Sequence, residues 1–220
     1  MPPLLRPSPP LLTGESVPGG RVSGNGAWLL YVTNSLSLMR PMNAASPASL
    51  AELKQAIRNV PDFPKPGIQF KDITPLLGDA RLFAASVDWL IAGHAPGSVQ
   101  AVAGIDARGF LFAAAAALKL GAGCVPIRKR GKLPYQTLEE SYDLEYGSNT
   151  IAIHIDAVPK GSRVLLVDDL LATGGTARAA ANLLRRLGAE VVEVVFLIEL
   201  AFLEGRAKLN GFPVRSLIQF

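Results

Sequence analysis

Two hundred and twenty residues, 49% of them hydrophobic, are enough to bury the core of one domain without disulfides or a structural metal. The net charge of +4 is small, and residues 1–48 hold three arginines against one acid, so the remainder is nearly balanced and no nucleic-acid surface is expected. The single cysteine, Cys124, excludes an internal disulfide and lies in an apolar run, which points to a packed thiol in a reducing, cytoplasmic compartment, a catalytic thiol being the rarer alternative.

Residues 1–48 are rich in Pro, Gly and Ser and carry neither a helical nor a strand period. They read as an extension of the folded domain, either disordered or not translated at all, because Met42 stands just before the first periodic segment. An acid-poor transit peptide is the third reading. The domain itself is expected over 49–220. It opens with "SLAELKQAI", where Leu50, Leu53 and Ile57 share a helix face and Ser49 with Glu52 makes a capping-box pattern. "DFPKPGIQFKDITPLL" carries three prolines in its extent and is read as an extended hood laid over the domain. "RLFAASVDWLIAGH" is an amphipathic helix.

Short apolar runs then alternate with helical segments: 99–106, 110–121, 124–129, 163–169, 176–188 and 191–200. Strands that are apolar throughout belong to a parallel sheet covered on both faces, so the fold class is α/β, a mostly parallel sheet flanked by helices. The run from Phe110 to Leu118 is shorter than the roughly 20 residues a membrane span needs, and no membrane partner is expected. Residues 129–140 are expected to be a mobile surface loop, followed by a hairpin of "YDLEY" and "TIAIHI" turning through Gly147, Ser148 and Asn149.

Ligands of open α/β sheets gather at the carboxyl ends of the strands, and three groups of residues fall there. In "VLLVDDLLATGGTARAA" a strand ends in Asp168 and Asp169 and is followed by Ala172, Thr173, Gly174, Gly175 and Thr176. The glycines let the backbone approach an anion, while the threonines and the free N–H groups of the next helix donate to phosphate oxygens. Neither a P-loop nor a dinucleotide fingerprint is present. Taken singly, the two acids would be an exposed carboxylate and a helix cap. In "GIDARGFLF" the turn Ala107-Arg108 joins a strand to a helix, and an arginine there can grip phosphate oxygens with its planar fork. "IRKRGKLP" brings Arg128, Lys129 and Lys132 to the start of the expected loop, where they can act as a lid over an anion.

The string from the apolar strand through the paired acids to Thr-Gly-Gly-Thr resembles the phosphoribosyl-diphosphate motif of type I phosphoribosyltransferases. "DFPKPGIQFKDITPLL", "ARGFLF", "RKRGKLP", "YDLEYG", "IHIDA" and "VDDLLATGGT" stand in the order and at the spacing of the adenine phosphoribosyltransferase family, over residues 50–220. The resemblance implies transfer of a 5-phosphoribosyl group from its 1-diphosphate to adenine, giving AMP and diphosphate. It implies Mg²⁺ held mainly by substrate oxygens, with no metal bound by the protein's own residues alone. It also implies a homodimer in which Arg128 reaches the neighbour's site. The acids would hold ribose hydroxyls and the Thr-Gly-Gly-Thr turn the 5-phosphate. Ala107, Arg108, Lys129, Lys132 and the lid tyrosine Tyr146 would face the diphosphate. Adenine would lie between Phe70 and Leu200, its edge read by the backbone around Gln69 and Lys71, and Glu145 would handle its proton. Two positions depart from the family pattern: Lys71 stands where Arg is common, and Ala113 where Gly is usual.

Overall fold

The computed structural model describes residues 47–143 and 148–220. Helix α1, Leu50–Ala56, starts on the expected capping box, with the Glu52 carboxylate accepting from the Ser49 N–H at 2.8 Å and the Ser49 hydroxyl accepting from the Glu52 N–H at 3.3 Å. The hood that follows is a two-stranded antiparallel sheet, β1 (Arg58–Pro61) and β2 (Gln69–Asp72), with Val60 opposite Phe70 and Asn59 opposite Lys71. Thr74–Gly78 forms a short helix, α2. The Asp79 side chain then accepts from two free N–H groups to cap α3, Ala80–Leu90.

The main sheet contains β3 (Ala101–Ile105), β4 (Gly123–Lys129), β5 (Thr137–Asp143), β6 (Ser148–His154), β7 (Arg163–Leu171), β8 (Glu190–Glu199) and β9 (Val214–Gln219). Their spatial order is β5-β6-β4-β3-β7-β8-β9. The five strands from β4 to β9 in that order run parallel, and the β5-β6 hairpin is antiparallel at one edge. Helices α4 (Gly109–Leu120) and α5 (Gly175–Arg186) follow β3 and β7. Side chains alternate across the sheet, so that Val164 and Leu166 pack with Ala180 and Leu184 of α5 on one face. Leu165 and Val167 pack with Phe112, Leu90 and Leu53 on the other. Helix α4 lies close against β3 because Gly104 has no side chain: a Cβ there would stand 2.6 Å from the Cβ of Ala113. The Ala113 departure is thus a packing feature, absorbed by Gly104.

Three sequence expectations are corrected. Residues 137–140 are strand, not loop: β5 pairs with β6 from Thr137↔His154 onward, and α5 holds it through Asn182 and Arg186, whose side chains donate to Glu140 at 3.1 and 2.8 Å. Ser148 and Asn149, expected in the hairpin turn, belong to β6 and pair with Asp143 and Tyr142, while Gly147 lies outside the described residues. Cys124 is exposed, because β4 alternates and Cys124 and Pro126 point to the side away from Val125 and Ile127.

Candidate active site

Because β3 and β7 are parallel neighbours, the turns that leave them open on the same edge of the sheet. Residues 106–108 after β3 and 172–174 after β7 line a cavity of about 300 Å³, together with Asp168, Asp169, Gly175, Thr176 and Tyr142. The peptide between Asp106 and Ala107 is cis. Both helices that start at this cavity lack a side-chain cap, so the positive ends of their dipoles face it; the first N–H groups of α5 are open to an anion, whereas at α4 the Phe110 and Leu111 N–H groups donate to the Ala107 and Arg108 carbonyls at 3.3 and 3.2 Å.

Gly174 sits at φ 77°, in the left-handed region, and a Cβ on it would run into the Gly205 carbonyl. The reverse holds as well, since a Cβ on Gly205 would run into the Ala172 carbonyl. The phosphate-type turn is therefore seated directly on the 3₁₀ segment Gly205–Leu209. That segment is anchored by Arg206, whose guanidinium donates to the buried Glu199 carboxylate at 2.6 and 3.2 Å. Glu199 also accepts from Ser216 and Gln219. The Arg206 hydrogen bonds hold the Glu199 carboxyl below its ordinary range.

The acid pair lies between the two helix starts. Asp168 accepts from the Asp169 N–H at 3.0 Å, and a Cβ on Gly109 would stand 2.6 Å from its Oδ1, so glycine is what admits this carboxylate beside α4. Arg108 crosses the cavity with its Nε 2.8 Å from Asp169 Oδ2. Burial, and then the neighbouring charge of Asp169, hold the Asp168 carboxyl well above the usual carboxylate range. Asp169 is also raised by burial, with Arg108 opposing the shift. A site lined by three acids, Asp106, Asp168 and Asp169, and one arginine, with Arg128 on Asp106, favours a cationic or hydroxyl-bearing guest next to the acid pair and an anion at the helix starts.

A family model for the phosphoribosyl transferase domain matches residues 78–209. An adenine phosphoribosyltransferase of Brucella anthropi is 55% identical over 172 residues, covering 77% of this chain and 95% of its own length. The chain belongs to the adenine phosphoribosyltransferase family. The solved adenine phosphoribosyltransferase of Rhodothermus marinus shares 53% identity with a TM-score of 0.74, covering 78% of this chain and 98% of its own. That of Saccharomyces cerevisiae, solved in complex with adenine and an imino-altritol bisphosphate, shares 40% identity with a TM-score of 0.71, covering 76% of this chain and 97% of its own.

The residues that the family resemblance singled out divide into groups. Ala107, Arg108, Asp168, Asp169, Ala172, Thr173, Gly174, Gly175 and Thr176 line one cavity. Phe70 is joined to it through Arg108, whose guanidinium carbon lies 5.4 Å from the Phe70 ring centre. Phe63 packs edge-on against the same ring at 5.1 Å. Arg128 stands at the rim, 3.3 Å from Asp106, and donates to the Lys132 carbonyl at 3.0 Å. Lys129 and Lys132 are exposed and do not line the cavity. Leu200 is half-buried, its N–H bonded to the Leu171 carbonyl at 2.9 Å. The Gln69 and Lys71 side chains bond to Asn59 rather than entering the cavity. Glu145 and Tyr146 lie outside the described residues. Tyr142, Asp106 and Gly205 were not singled out from sequence. Tyr142 was legible only as an alternating hairpin residue, and Gly205 carries no local motif.

Proposed function

We infer that this family member transfers the 5-phosphoribosyl group of 5-phosphoribosyl 1-diphosphate to adenine, forming AMP and diphosphate in purine salvage. The observation that carries this reading is an acid pair set between two uncapped helix starts in one cavity. The α5 start and Thr173–Thr176 turn would take the 5-phosphate. The α4 start and Arg108 would take the diphosphate, and Asp168 and Asp169 the ribose hydroxyls. Phe70 and Leu200 would flank adenine, the base with which the Saccharomyces cerevisiae relative was solved.

As the bond from C1 to the diphosphate breaks, positive charge grows on the ribose ring and negative charge on the leaving group. The acid pair would lend negative potential near the ring, while Arg108 and the positive end of α4 would meet the leaving diphosphate. Arg108 must release Asp169 to do so, which frees that carboxylate for the ribose. The adenine nitrogen forms the new bond to C1, and its proton is assigned to Glu145. Lys129, Lys132 and Tyr146 are assigned to a lid that covers the diphosphate. Fixing the 5-phosphate, remote from the reacting carbon, orients that carbon for attack.

Mg²⁺ belongs to this proposal. No group of three His, Cys, Asp or Glu gathers among the described residues. Of the three carboxylates that line the cavity, Asp106 is paired with Arg128 and Asp169 with Arg108, which suits an ion that draws most of its six oxygens from substrate and water. When bound, it would neutralise charge on the diphosphate.

A homodimer and a cytoplasmic location are also proposed. Leu111 and Leu118 on α4 are 47% and 85% exposed and form, with Ala114, an apolar face suited to a second copy. No helix among the described residues is long and apolar enough to cross a membrane. The test of the reaction is to supply purified protein with Mg²⁺, phosphoribosyl diphosphate and each nucleobase in turn, and to measure product mass. AMP should form from adenine in preference to other nucleotides, and a preference for hypoxanthine, xanthine or orotate would sink the assignment.

A further inference from the structure

The two residues that would flank adenine lie far apart in sequence, on the hood and after β8, and one residue of β9's end touches the supports of both. The Phe220 carbonyl accepts from the Ala201 N–H at 3.0 Å, and its own N–H donates to the Glu199 carbonyl at 3.0 Å, so its backbone brackets Leu200. Its ring meets the hood: Lys71 Nζ stands 4.1 Å from the ring centre and Lys54 Nζ 4.7 Å. Lys54 also donates to the Gln219 carbonyl at 2.8 Å. Lys71 is the residue after Phe70, and alternation along β2 puts its side chain on the opposite face from the ring that meets Arg108. On that face it continues into a polar chain, with Lys71 Nζ 3.1 Å from Asn59 Oδ1 and Asn59 Nδ2 2.6 Å from Gln69 Oε1.

We propose that Phe220 is a positioning residue for the base: its ring holds Lys71 and the hood strand, its backbone holds Leu200, and so it sets the width of the adenine slot. The inference rests on the adenine reading given above. It also explains Lys71. An amine or a guanidinium can sit over an aromatic face, so this position needs a cation directed at Phe220 rather than a side chain directed at the base.

The experiment measures KM for adenine and for phosphoribosyl diphosphate, and kcat, in Phe220→Ala, Phe220→Leu and Phe220→Tyr, with circular dichroism to establish folding. Loss of the ring should raise adenine KM about three- to tenfold in the Ala and Leu variants, the scale of one or two partly exposed cation–aromatic contacts. Phosphoribosyl-diphosphate KM and kcat should stay within about twofold, because the phosphate turns are held by other residues. Tyr keeps the ring and should restore adenine KM. Should Phe220→Ala fail to fold, the Leu and Tyr pair decides alone. An adenine KM in Phe220→Leu equal to that of the unaltered protein overturns the clamp, as does an equal rise in both KM values or a failure of Tyr to restore. Absence of AMP formation by the unaltered protein would instead overturn the adenine reading itself.

Discussion

Arg108 holds Asp169 across the mouth of the cavity, Nε to Oδ2 at 2.8 Å, while the same guanidinium stands 5.4 Å from the Phe70 ring. One side chain therefore links the acid pair, the α4 start and the hood. Lysine at this position would keep the charge but lose the planar fork. Arg108→Lys should lower kcat by about 10²-fold, the scale of removing one transition-state donor. Steady-state kinetics check this, and a kcat within threefold of the unaltered protein would remove Arg108 from the reaction.

Asp168 makes a prediction about pH. Its carboxyl is raised in the folded protein by burial and by the charge of Asp169. The folded state thus holds this proton more tightly than the unfolded chain, and the charged form destabilises. The penalty sets in as pH rises past the ordinary carboxylate range and is complete above the raised value. Asp168→Asn should therefore melt higher than the unaltered protein at neutral pH, by about 2–4 °C for each kcal/mol relieved. The difference should shrink toward pH 4, while turnover falls. Melting curves between pH 4 and 8 would show it, and an unchanged or lower melting temperature at pH 7 would contradict the raised carboxyl.

Gly205 supports the phosphate-type turn without lining the cavity. A methyl group there meets the Ala172 carbonyl, so Gly205→Ala should push the turn out of place. Displacement of about 1 Å at a binding handle can cost about 10²-fold, and a loss of that order is expected in kcat/KM for phosphoribosyl diphosphate. Isothermal titration with phosphoribosyl diphosphate measures the binding part directly. Full affinity in a folded variant would show that the turn does not depend on this seat.

Lys132 is exposed and outside the cavity, though its carbonyl is held by Arg128. If it closes over the diphosphate, Lys132→Ala should raise KM for phosphoribosyl diphosphate several-fold, about what one charge-assisted contact contributes. KM for adenine should change far less. Equal effects on both substrates would contradict a lid acting on the diphosphate.

The sheet was legible in the chain because buried parallel strands must be apolar on both faces, and residues 99–106, 163–169 and 191–200 are so. The two turns were legible because an anion site on backbone N–H groups needs glycine and small donors at fixed offsets, as in 172–176. The β5 boundary was not, because residues 137–140 carry a single apolar side chain, Leu138, and become strand only through pairing with β6 and contact with Arg186 and Asn182. Cys124 was misplaced for a related reason: its neighbours are apolar, but which side of β4 meets solvent depends on what packs there.

By itself, the sequence determined the α/β class, the two helix-start turns and the acid pair, since each depends on residues close together along the chain. Only the tertiary structure decided that Arg108 lies on Asp169, that Gly205 seats Gly174, and that Phe220 meets Lys71. Those contacts join segments between about 30 and 150 residues apart, and it is strand order, not local pattern, that brings such segments together.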